Sequence, residues 1–427
     1  MNKAIGKENS HPKERAILVG VIHGSLKEYD VDEHLDELTL LSETAGAEVV
    51  GRVTQRLSRI NPAFFVGKGK AQQIINQARE LSVNLIIFNE DLTPAQVKNF
   101  QKLAENVKII DRSALILDIF QKHAKTKEAK TQVELARLQY MLPRLTRLWT
   151  HLERQMGGIG TRAGAGETQI EVDRRLVRNR IARLKQELDR IDKERETQSK
   201  RRREFYRVAL VGYTNAGKST LMRTISGENV YIRDQLFATL DTTIRTVNLD
   251  DNHKILLSDT VGFIRKLPHH LVASFRSTLK EVIEADLLLI LLDATSPQVM
   301  EHLQTIRRVL KELKAEKQRS LLLLNKIDLI DQNGRLSYLK RHFPEGIMIS
   351  AHNHLRIDHL LDRIREIMDE NYRTAEVRFS YEQGKALAAA QEGVDVLERV
   401  YDDQGVHLKI RGISRRVNQI VNSSENR

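Results

Sequence analysis

An eight-residue glycine-rich stretch, Gly212–Ser219, has the residue types needed to hold phosphates. It reads G-x-x-x-x-G-K-S and directly follows the apolar run Val208–Val211. Glycines let the backbone curl so that several N–H groups face phosphate oxygens, Lys218 can reach the β- and γ-phosphates, and the hydroxyl of Ser219 suits Mg²⁺. A helix beginning near Ser219 would add the positive end of its dipole. The stretch predicts a nucleoside triphosphate P-loop rather than an ordinary glycine-rich turn.

A second motif predicts which base is bound. Asn325–Asp328, N-K-I-D, follows the apolar run Leu321–Leu324. A carboxylate there can accept hydrogen bonds from N1–H and the exocyclic amine of guanine, whereas adenine would leave it unpaired. Alone, this motif also fits a turn with a solvated aspartate, but downstream of a P-loop it predicts guanine specificity. We expect Ser350–His352, after another apolar strand, to contact the edge of the base.

Two segments between these motifs are suited to sensing the γ-phosphate. Asp259–Gly262 follows the strand-like run Ile255–Ser258, and we expect Asp259 to hold Mg²⁺ through water and the Gly262 N–H to sense the γ-phosphate. Phe237–Thr243 is the expected first switch, in which a threonine completes the magnesium shell only when the γ-phosphate is present. Motifs at the carboxyl ends of successive strands indicate a doubly wound α/β GTPase domain, predicted at residues 206–372.

The motif strings resemble one family in particular. GYTNAGKST, FATLD, DTVGFI and NKID are similar to the HflX family of ribosome-associated GTPases. Outside the G domain, Asn61–Lys70 resembles the family's N-terminal signature, and Gly157–Glu171 resembles its glycine-rich linker. The resemblance implies that Thr239 is a magnesium ligand, with Thr242 and Thr243 as the alternatives.

These motifs together predict one nucleotide-binding site. The catalytic residues are Lys218, Thr239 and Gly262, and the metal ligands for Mg²⁺ are Ser219 and Thr239, with Asp259 acting through water. The GTP-binding residues are Gly212, Tyr213, Thr214, Asn215, Ala216, Gly217, Lys218, Ser219, Phe237, Ala238, Thr239, Leu240, Asp241, Asp259, Thr260, Val261, Gly262, Asn325, Lys326, Ile327, Asp328, Ser350, Ala351 and His352. Asn215 occupies the position at which cation-dependent relatives bind K⁺, so K⁺ is a second expected cofactor.

Three features depart from related patterns. Phe263 stands where Ras-like enzymes place a water-orienting glutamine, so we expect slow intrinsic hydrolysis. Ala163–Gly166 replaces the family's Gly-Pro-Gly, which predicts a longer and more mobile loop. Thr242 replaces a proline, which predicts a less rigid first switch without removing its magnesium contact.

Composition limits the class of protein. A chain of 427 residues is long enough for two to four domains, and a formal charge of +12 fits a polyanionic partner such as RNA. The absence of cysteine excludes disulfides, thiol catalysis and zinc–thiolate sites. Without an apolar run of membrane-spanning length or a signal-peptide core, we expect a cytoplasmic protein with no membrane span, and we expect a monomer.

The rest of the chain suggests three further domains. Residues 1–122 alternate strand and helix patterns, which predicts a mainly parallel α/β domain. Within it, Gly67–Lys70 fits either a turn with solvated lysines or an RNA-phosphate contact. Residues 373–427 indicate a small α+β domain, with a strand at 375–380, a helix at 382–391 and a strand pair at 394–400 and 406–410.

Residues 123–205 predict an antiparallel coiled-coil hairpin, with the glycine-rich tip at 157–166 and a kink at Pro143. Its apolar positions recur at steps of three and four: Leu135, Leu138, Leu142, Leu145, Trp149, Leu152 and Met156 in the first arm, and Ile170, Val177, Ile181, Leu184, Leu188 and Ile191 in the second. Arginines on both arms suit rRNA phosphates, although a charge run also fits a solvated face.

The expected function follows from the resemblance. It implies a GTPase that cycles between GTP and GDP, binds the large ribosomal subunit and its rRNA, inserts the hairpin tip near the peptidyl-transferase region, and splits stalled ribosomes, especially under stress. Two alternatives stay open: a GTP-gated RNA-binding factor in large-subunit assembly, and an RNA-remodelling enzyme driven by nucleoside triphosphates including ATP.

Overall fold

A computed structural model describes residues 13–104, 106–145, 169–199, 205–227, 236–237, 240–250, 253–265, 279–330, 333–391 and 393–425. These residues form two compact units. The first holds the described residues up to Leu188 together with 236–237, and the second holds the others. None of the described helices is long and apolar enough to cross a membrane.

The first unit begins with a four-stranded parallel sheet. Its strands are β1 (Arg15–Ile22), β2 (Glu48–Arg56), β3 (Leu85–Phe88) and β4 (Lys108–Asp111), in the order β2-β1-β3-β4. The helices are α1 (Glu28–Ala45), α2 (Lys68–Glu80), α3 (Pro94–Leu103) and α4 (Arg112–His123). Because β3 and all of β1 after Arg15 are apolar and buried, they form the centre of the sheet. The predicted parallel α/β fold is confirmed.

Two further helices form the described part of the hairpin, and the first unit ends within the second of them, at Leu188. They are α5 (Lys127–Met141), followed by a 3₁₀ turn at Leu142–Arg144, and α6 (Gln169–Ser199). The predicted stripes pack together: Leu135, Leu138 and Leu145 share a core with Val177 and Leu184. Trp149, Leu152, Met156 and the tip 157–166 lie outside the described residues, as does the side chain of Ile170.

Polar contacts show that these two helices are antiparallel. Lys127 pairs with Glu187 at 2.8 Å, Arg180 pairs with Glu134 at 2.7 Å, and Arg174 donates to the carbonyl of Leu145 at 3.1 Å. Residue numbers therefore rise along one helix as they fall along the other. Pro143 differs from its prediction: α5 ends at Met141 and Pro143 lies in the 3₁₀ turn, because proline removes a helical hydrogen bond and clashes with the preceding turn.

The second unit contains the predicted doubly wound sheet. Its strands are β5 (Tyr206–Gly212), β6 (Thr243–Asn248), β7 (Lys254–Asp259), β8 (Leu287–Asp293), β9 (Ser320–Asn325) and β10 (Ile347–Met348), in the order β10-β9-β8-β5-β7-β6 with only β6 antiparallel. The helices are α7 (Lys218–Ser226), α8 (Lys280–Glu284), α9 (Val299–Glu312), α10 (Asn333–His342) and α11 (Ile357–Glu370). The carboxyl ends of β5, β7 and β9 thus reach one edge of the sheet.

The C-terminal part of this unit is a small α+β domain. It consists of β11 (Tyr372–Phe379), α12 (Gly384–Ala389), β12 (Asp395–Asp402), β13 (Gly405–Ile413) and α13 (Ser414–Glu425), with antiparallel strands in the order β11-β13-β12. The predicted strand pair is present. Helix α13 was not predicted; its Val417 and Ile420 cover the apolar side of β13 at Leu408 and Ile410.

Candidate GTP site

The P-loop curls at two residues with left-handed backbone. Asn215 has φ +60° and Gly217 has φ +93°, and α7 begins directly afterwards at Lys218. Gly217 cannot be replaced by a larger residue, because a Cβ there would overlap the side-chain nitrogen of Asn325. The loop therefore holds its backbone close to another motif of the predicted site.

Lys218 lies inside this loop, only 7 % exposed. Its Nζ donates to the carbonyl oxygens of Gly212 at 3.2 Å and Tyr213 at 3.0 Å. Burial lowers the pKa of Lys218 to about 8, and the carboxylate of Asp259 opposes that shift. A buried ammonium group is suited to a polyanionic ligand, which would compensate for the loss of its hydration.

The predicted magnesium residues are adjacent. Ser219 Oγ donates to Asp259 Oδ2 at 2.6 Å, and Asp259 is the last residue of β7. Oxygen ligands such as a hydroxyl and a carboxylate suit Mg²⁺, so the residues present fit that ion. The described residues contain no group of three or more acidic or histidine side chains arranged for a metal, which is compatible with a site completed by phosphate oxygens.

Gly262 lies against the P-loop. A Cβ at Gly262 would come within 2.8 Å of Thr214 Cγ2 and 3.1 Å of Lys218 Nζ, so only glycine fits. Thr260 holds the strand end in place by donating from Oγ1 to the carbonyl of Leu210 at 2.6 Å, and Val261 is buried beside it. The backbone of Gly262 is thus positioned where it can meet the terminal phosphate of a nucleotide in the loop.

Phe263 is a packing residue. Its side chain is 1 % exposed, its N–H donates to the Gly212 carbonyl at 3.0 Å, and its carbonyl accepts from the Thr214 N–H at 2.8 Å. An apolar ring cannot orient a water molecule. Any alignment of the attacking water must therefore come from another group.

Tyr213 makes contacts that sequence reasoning missed. Its ring stacks on His302 of α9 at 3.9 Å between ring centroids, and its hydroxyl oxygen accepts from the Arg265 N–H at 2.7 Å. The guanidinium of Arg265 pairs with Glu301, also on α9, at 2.7 Å. Neither His302 nor Arg265 belongs to a recognisable motif, so only their position in space reveals the connection.

Asn325 acts as a brace between loops. Its Nδ2 donates to the Ala216 carbonyl at 2.8 Å, and its Oδ1 accepts from the Ala351 N–H at 2.9 Å. Thr224 adds a second link by donating to the Ala351 carbonyl at 2.7 Å. The sequence placed Asn325 in the site, and the amide's ability to donate and accept explains why asparagine is used there.

The residues predicted to recognise the base follow β9. Oδ1 of Asp328 is buried and has no hydrogen-bond partner among the described residues, as expected for a carboxylate that receives a ligand's N–H groups. Lys326, at φ +67°, pairs with Asp293 at 2.8 Å, and Ile327 begins a 3₁₀ turn. Ser350 is fully buried, whereas His352 is exposed.

The first switch is described only in part, since Ala238 and Thr239 lie outside the described residues. Phe237 belongs to the first unit, where its ring meets Phe120 edge-on at 4.7 Å and its carbonyl oxygen lies 2.8 Å from His123 Nδ1. Its φ of +56° is unusual for a large side chain. Leu240 is buried and Asp241 is half-buried, both in the second unit.

The other candidate phosphate site, Gly67–Lys70, is partly occupied by the protein. The Gly67 N–H donates to Gln55 Oε1 at 2.9 Å, and Lys68, the first residue of α2, is exposed. One backbone donor of the possible phosphate cradle is therefore already used. The arrangement favours a turn with solvated lysines.

We expect Asn325→Ala to weaken both stability and nucleotide binding. The substitution leaves the buried Ala216 carbonyl and Ala351 N–H without their partner, which costs about 2–4 kcal/mol of unfolding free energy. Urea unfolding and a GDP titration measure the two effects. Asn99→Ala is the matched control, because Asn99 Nδ2 donates to the Ala63 carbonyl at 2.9 Å in the first unit; it should lower stability alone. Unchanged GDP affinity in Asn325→Ala would contradict the role of Asn325 in linking the P-loop to the Ala351 loop.

Comparison with known proteins gives matches over most of the chain. Family models described as GTP-binding GTPase N-terminal, GTP-binding GTPase Middle Region and 50S ribosome-binding GTPase match residues 32–121, 123–202 and 207–326. A GTPase HflX of Caldanaerobacter subterraneus subsp. tengcongensis is 44 % identical over 409 residues, which cover 94 % of this chain and 92 % of that protein.

Two further relatives carry the same name. The GTPase HflX of Flavobacterium psychrophilum is 50 % identical over 315 residues, covering 74 % of this chain and 76 % of the relative. That of Escherichia coli (strain K12) is 40 % identical over 403 residues, covering 93 % of both chains. The similarity thus extends well beyond the P-loop and the base motif.

Proposed function

Because the chain belongs to the HflX family of GTPases, we propose that it binds the large ribosomal subunit, alone or within the ribosome, in its GTP state and dissociates stalled ribosomes, especially under stress. The GTPase activity follows from the family and from the GTPase domain. The ribosomal role is supported by the description 50S ribosome-binding GTPase of the model that matches residues 207–326.

One structural observation supports binding to rRNA. Helix α6 is 31 residues long and exposes Arg175, Arg178 and Arg183 along a hairpin arm. Guanidinium groups on an extended helix suit the phosphates of RNA, and such binding weakens as salt rises. We assign the contact with rRNA to this arm and the action on the ribosome to the tip at 157–166.

The nucleotide site supplies the switch. Lys218 would bind the β- and γ-phosphate oxygens, Asp328 the guanine N–H groups, and the Gly262 N–H the γ-phosphate. In hydrolysis, water oxygen bonds to the γ-phosphorus, the bond to the β-phosphate oxygen breaks, and the water protons end on the products GDP and phosphate. Loss of the γ-phosphate removes the ligand that Gly262 would sense, which returns the switches to the GDP state.

Magnesium fits this site through Ser219, through Asp259 by way of water, and through Thr239. When bound, Mg²⁺ neutralises charge on the β- and γ-phosphates. The role of Thr239 rests on the family resemblance, with Thr242 and Thr243 as alternatives.

Sedimentation tests the proposal. Purified protein is mixed with intact ribosomes and a non-hydrolysable GTP analogue and run through a sucrose gradient beside a GDP sample and a variant lacking residues 157–166. We expect free subunits only with the analogue and the intact tip. Basal GTP hydrolysis by the deletion variant is the control for its folding. Co-migration without free subunits would contradict splitting and favour the large-subunit assembly factor.

Potassium is proposed as an activator because of Asn215. This residue is exposed beside the left-handed turn of the P-loop, where its side chain can add an oxygen ligand near the phosphates. We expect faster GTP hydrolysis in KCl than in NaCl at equal ionic strength, and Asn215→Ala should remove the difference. A rate in KCl no higher than in NaCl would exclude potassium activation.

A further inference from the structure

Thr214, the third residue of the P-loop, has a buried hydroxyl group that none of the hydrogen bonds described above uses. The residue is 8 % exposed, and its Oγ1 is buried with no hydrogen-bond partner among the residues that the structure describes. Burying a hydroxyl without a partner costs free energy, and the great majority of buried polar groups avoid it. A hydroxyl in this state at a nucleotide-binding loop points to a ligand group.

The surroundings of Thr214 are those of the γ-phosphate. Its Cα and Cγ2 lie so close to Gly262 that a Cβ on that glycine would come within 2.9 and 2.8 Å of them, and the same Cβ would lie 3.1 Å from Lys218 Nζ. The Thr214 N–H donates to the carbonyl of Phe263 at 2.8 Å. Thr214 and the P-loop lysine therefore both lie beside Gly262, the glycine whose counterpart meets the γ-phosphate in P-loop GTPases.

Phe263, which stands where Ras-like enzymes place a water-orienting glutamine, cannot align water. Phe263 is apolar and buried, and its backbone is paired with Gly212 and Thr214. A threonine hydroxyl has one donor and two acceptor positions, so it can accept a hydrogen bond from water while it donates one to a phosphate oxygen. This is the pair of hydrogen bonds needed to hold water beside the γ-phosphorus.

We propose that Thr214 is a catalytic residue for GTP hydrolysis, whose hydroxyl accepts from the attacking water and donates to a γ-phosphate oxygen. The water oxygen forms the new bond to phosphorus, the bond to the β-phosphate oxygen breaks, and the protons of water remain with the products. Thr214 ends the reaction with its own proton, because it aligns the water and is not consumed.

The test compares Thr214→Val with Thr214→Ser. Valine keeps the branched shape and removes the hydroxyl, and serine keeps the hydroxyl and removes the methyl group. Thr214→Ala is a second variant without the hydroxyl, in case valine disturbs the loop. Single-turnover GTP hydrolysis is measured with saturating protein, together with Kd for GDP and the melting temperature of the nucleotide-free protein.

We expect Thr214→Val and Thr214→Ala to hydrolyse GTP about tenfold to hundredfold more slowly, with GDP affinity unchanged within about threefold, the range of context effects on a single contact. Thr214→Ser should retain at least half of the rate. The melting temperature of Thr214→Val should not fall, because the lost hydroxyl has no partner among the described residues. Thr305→Val is the matched control: Thr305 is also 8 % exposed but lies on α9, and its substitution should leave the rate unchanged.

Three results would overturn the proposal. A wild-type rate in Thr214→Val and Thr214→Ala would mean that the hydroxyl has no part in the reaction. An equal loss of GDP affinity and hydrolysis would mean that it binds the nucleotide in both states. A slow Thr214→Ser variant would show that the methyl group, and therefore the shape of the loop, is what matters.

Discussion

Asp328→Asn is expected to weaken GDP and GTP binding about a thousandfold or more and to transfer the preference to xanthine nucleotides. The buried Oδ1 of Asp328 is suited to accept from the guanine N–H groups. An amide nitrogen in its place would face those donors with another donor, and sites built around a hydrogen bond reject ligands that cannot make it by such factors. Xanthine presents a carbonyl where guanine has its amine, so it matches the amide.

Calorimetric titration with GDP and with xanthosine diphosphate measures this exchange. Asp358→Asn is the control, since Asp358 is an exposed carboxylate in the first turn of α11 and should leave both affinities unchanged. If Asp328→Asn retains full preference for guanine, the assignment of the base site is wrong.

Lys218→Met is expected to reduce GTP hydrolysis at least a thousandfold with little change in the melting temperature of the nucleotide-free protein. The ammonium group neutralises charge that develops during phosphoryl transfer, and preorganised groups of this kind contribute rate factors of about that size. Its burial also disfavours the charged form, as the lowered pKa shows. Methionine removes that penalty but also removes the Nζ hydrogen bonds to the carbonyls of Gly212 and Tyr213, so the two effects oppose each other. Both carbonyls keep a backbone donor, from Phe263 and from Ala216 respectively.

Single-turnover hydrolysis and thermal unfolding measure the two quantities on the same sample. A large fall in melting temperature would mean that the lost activity reflects unfolding, and near-normal hydrolysis would exclude Lys218 from catalysis.

The pH dependence of nucleotide binding gives a further check on Lys218. With a pKa of about 8 in the nucleotide-free protein, against an ordinary value of 10.5, the lysine is charged below pH 8 and neutral above it. GDP affinity should be constant up to about pH 8 and then fall, by at most tenfold per pH unit, and Lys218→Met should lack this decrease. Between pH 8 and 10.5 the unfolded chain binds more protons, so this group's contribution to stability rises with pH. A fall in GDP affinity above pH 8 therefore does not reflect unfolding caused by deprotonation of Lys218.

The sequence shows why the predicted nucleotide-site motifs come together, because each motif follows a buried strand. Apolar runs before Gly212, Asp259 and Asn325 are parallel neighbours or near neighbours in one sheet, and the carboxyl ends of such strands must meet. The spacing of Leu138 and Leu184 likewise identified the hairpin, because a repeat of three and four residues leaves one side of a helix apolar.

Other features depend on contacts between distant residues that no local pattern records. The stacking of Tyr213 on His302 joins the P-loop to α9, and the packing of Phe237 on Phe120 joins residues far apart in the first unit. The lack of a partner for the Thr214 hydroxyl among the described residues cannot be read from the sequence either, because it depends on burial and on distances to other side chains. The sequence predicts a kink at Pro143 because proline disrupts a helix. Whether the helix bends or ends at the proline depends on its surroundings.

The most direct test of the link between the GTP site and the ribosome uses Asp328→Asn with intact ribosomes. The variant is mixed with ribosomes and a non-hydrolysable analogue of either xanthosine triphosphate or GTP, and free subunits are measured by sedimentation. We predict free subunits with the xanthosine analogue and none with the GTP analogue at the same concentration, the reverse of the wild-type protein. Equal splitting with both analogues, or splitting without nucleotide, would contradict the proposal that binding of the base and γ-phosphate at this site drives the action on the ribosome.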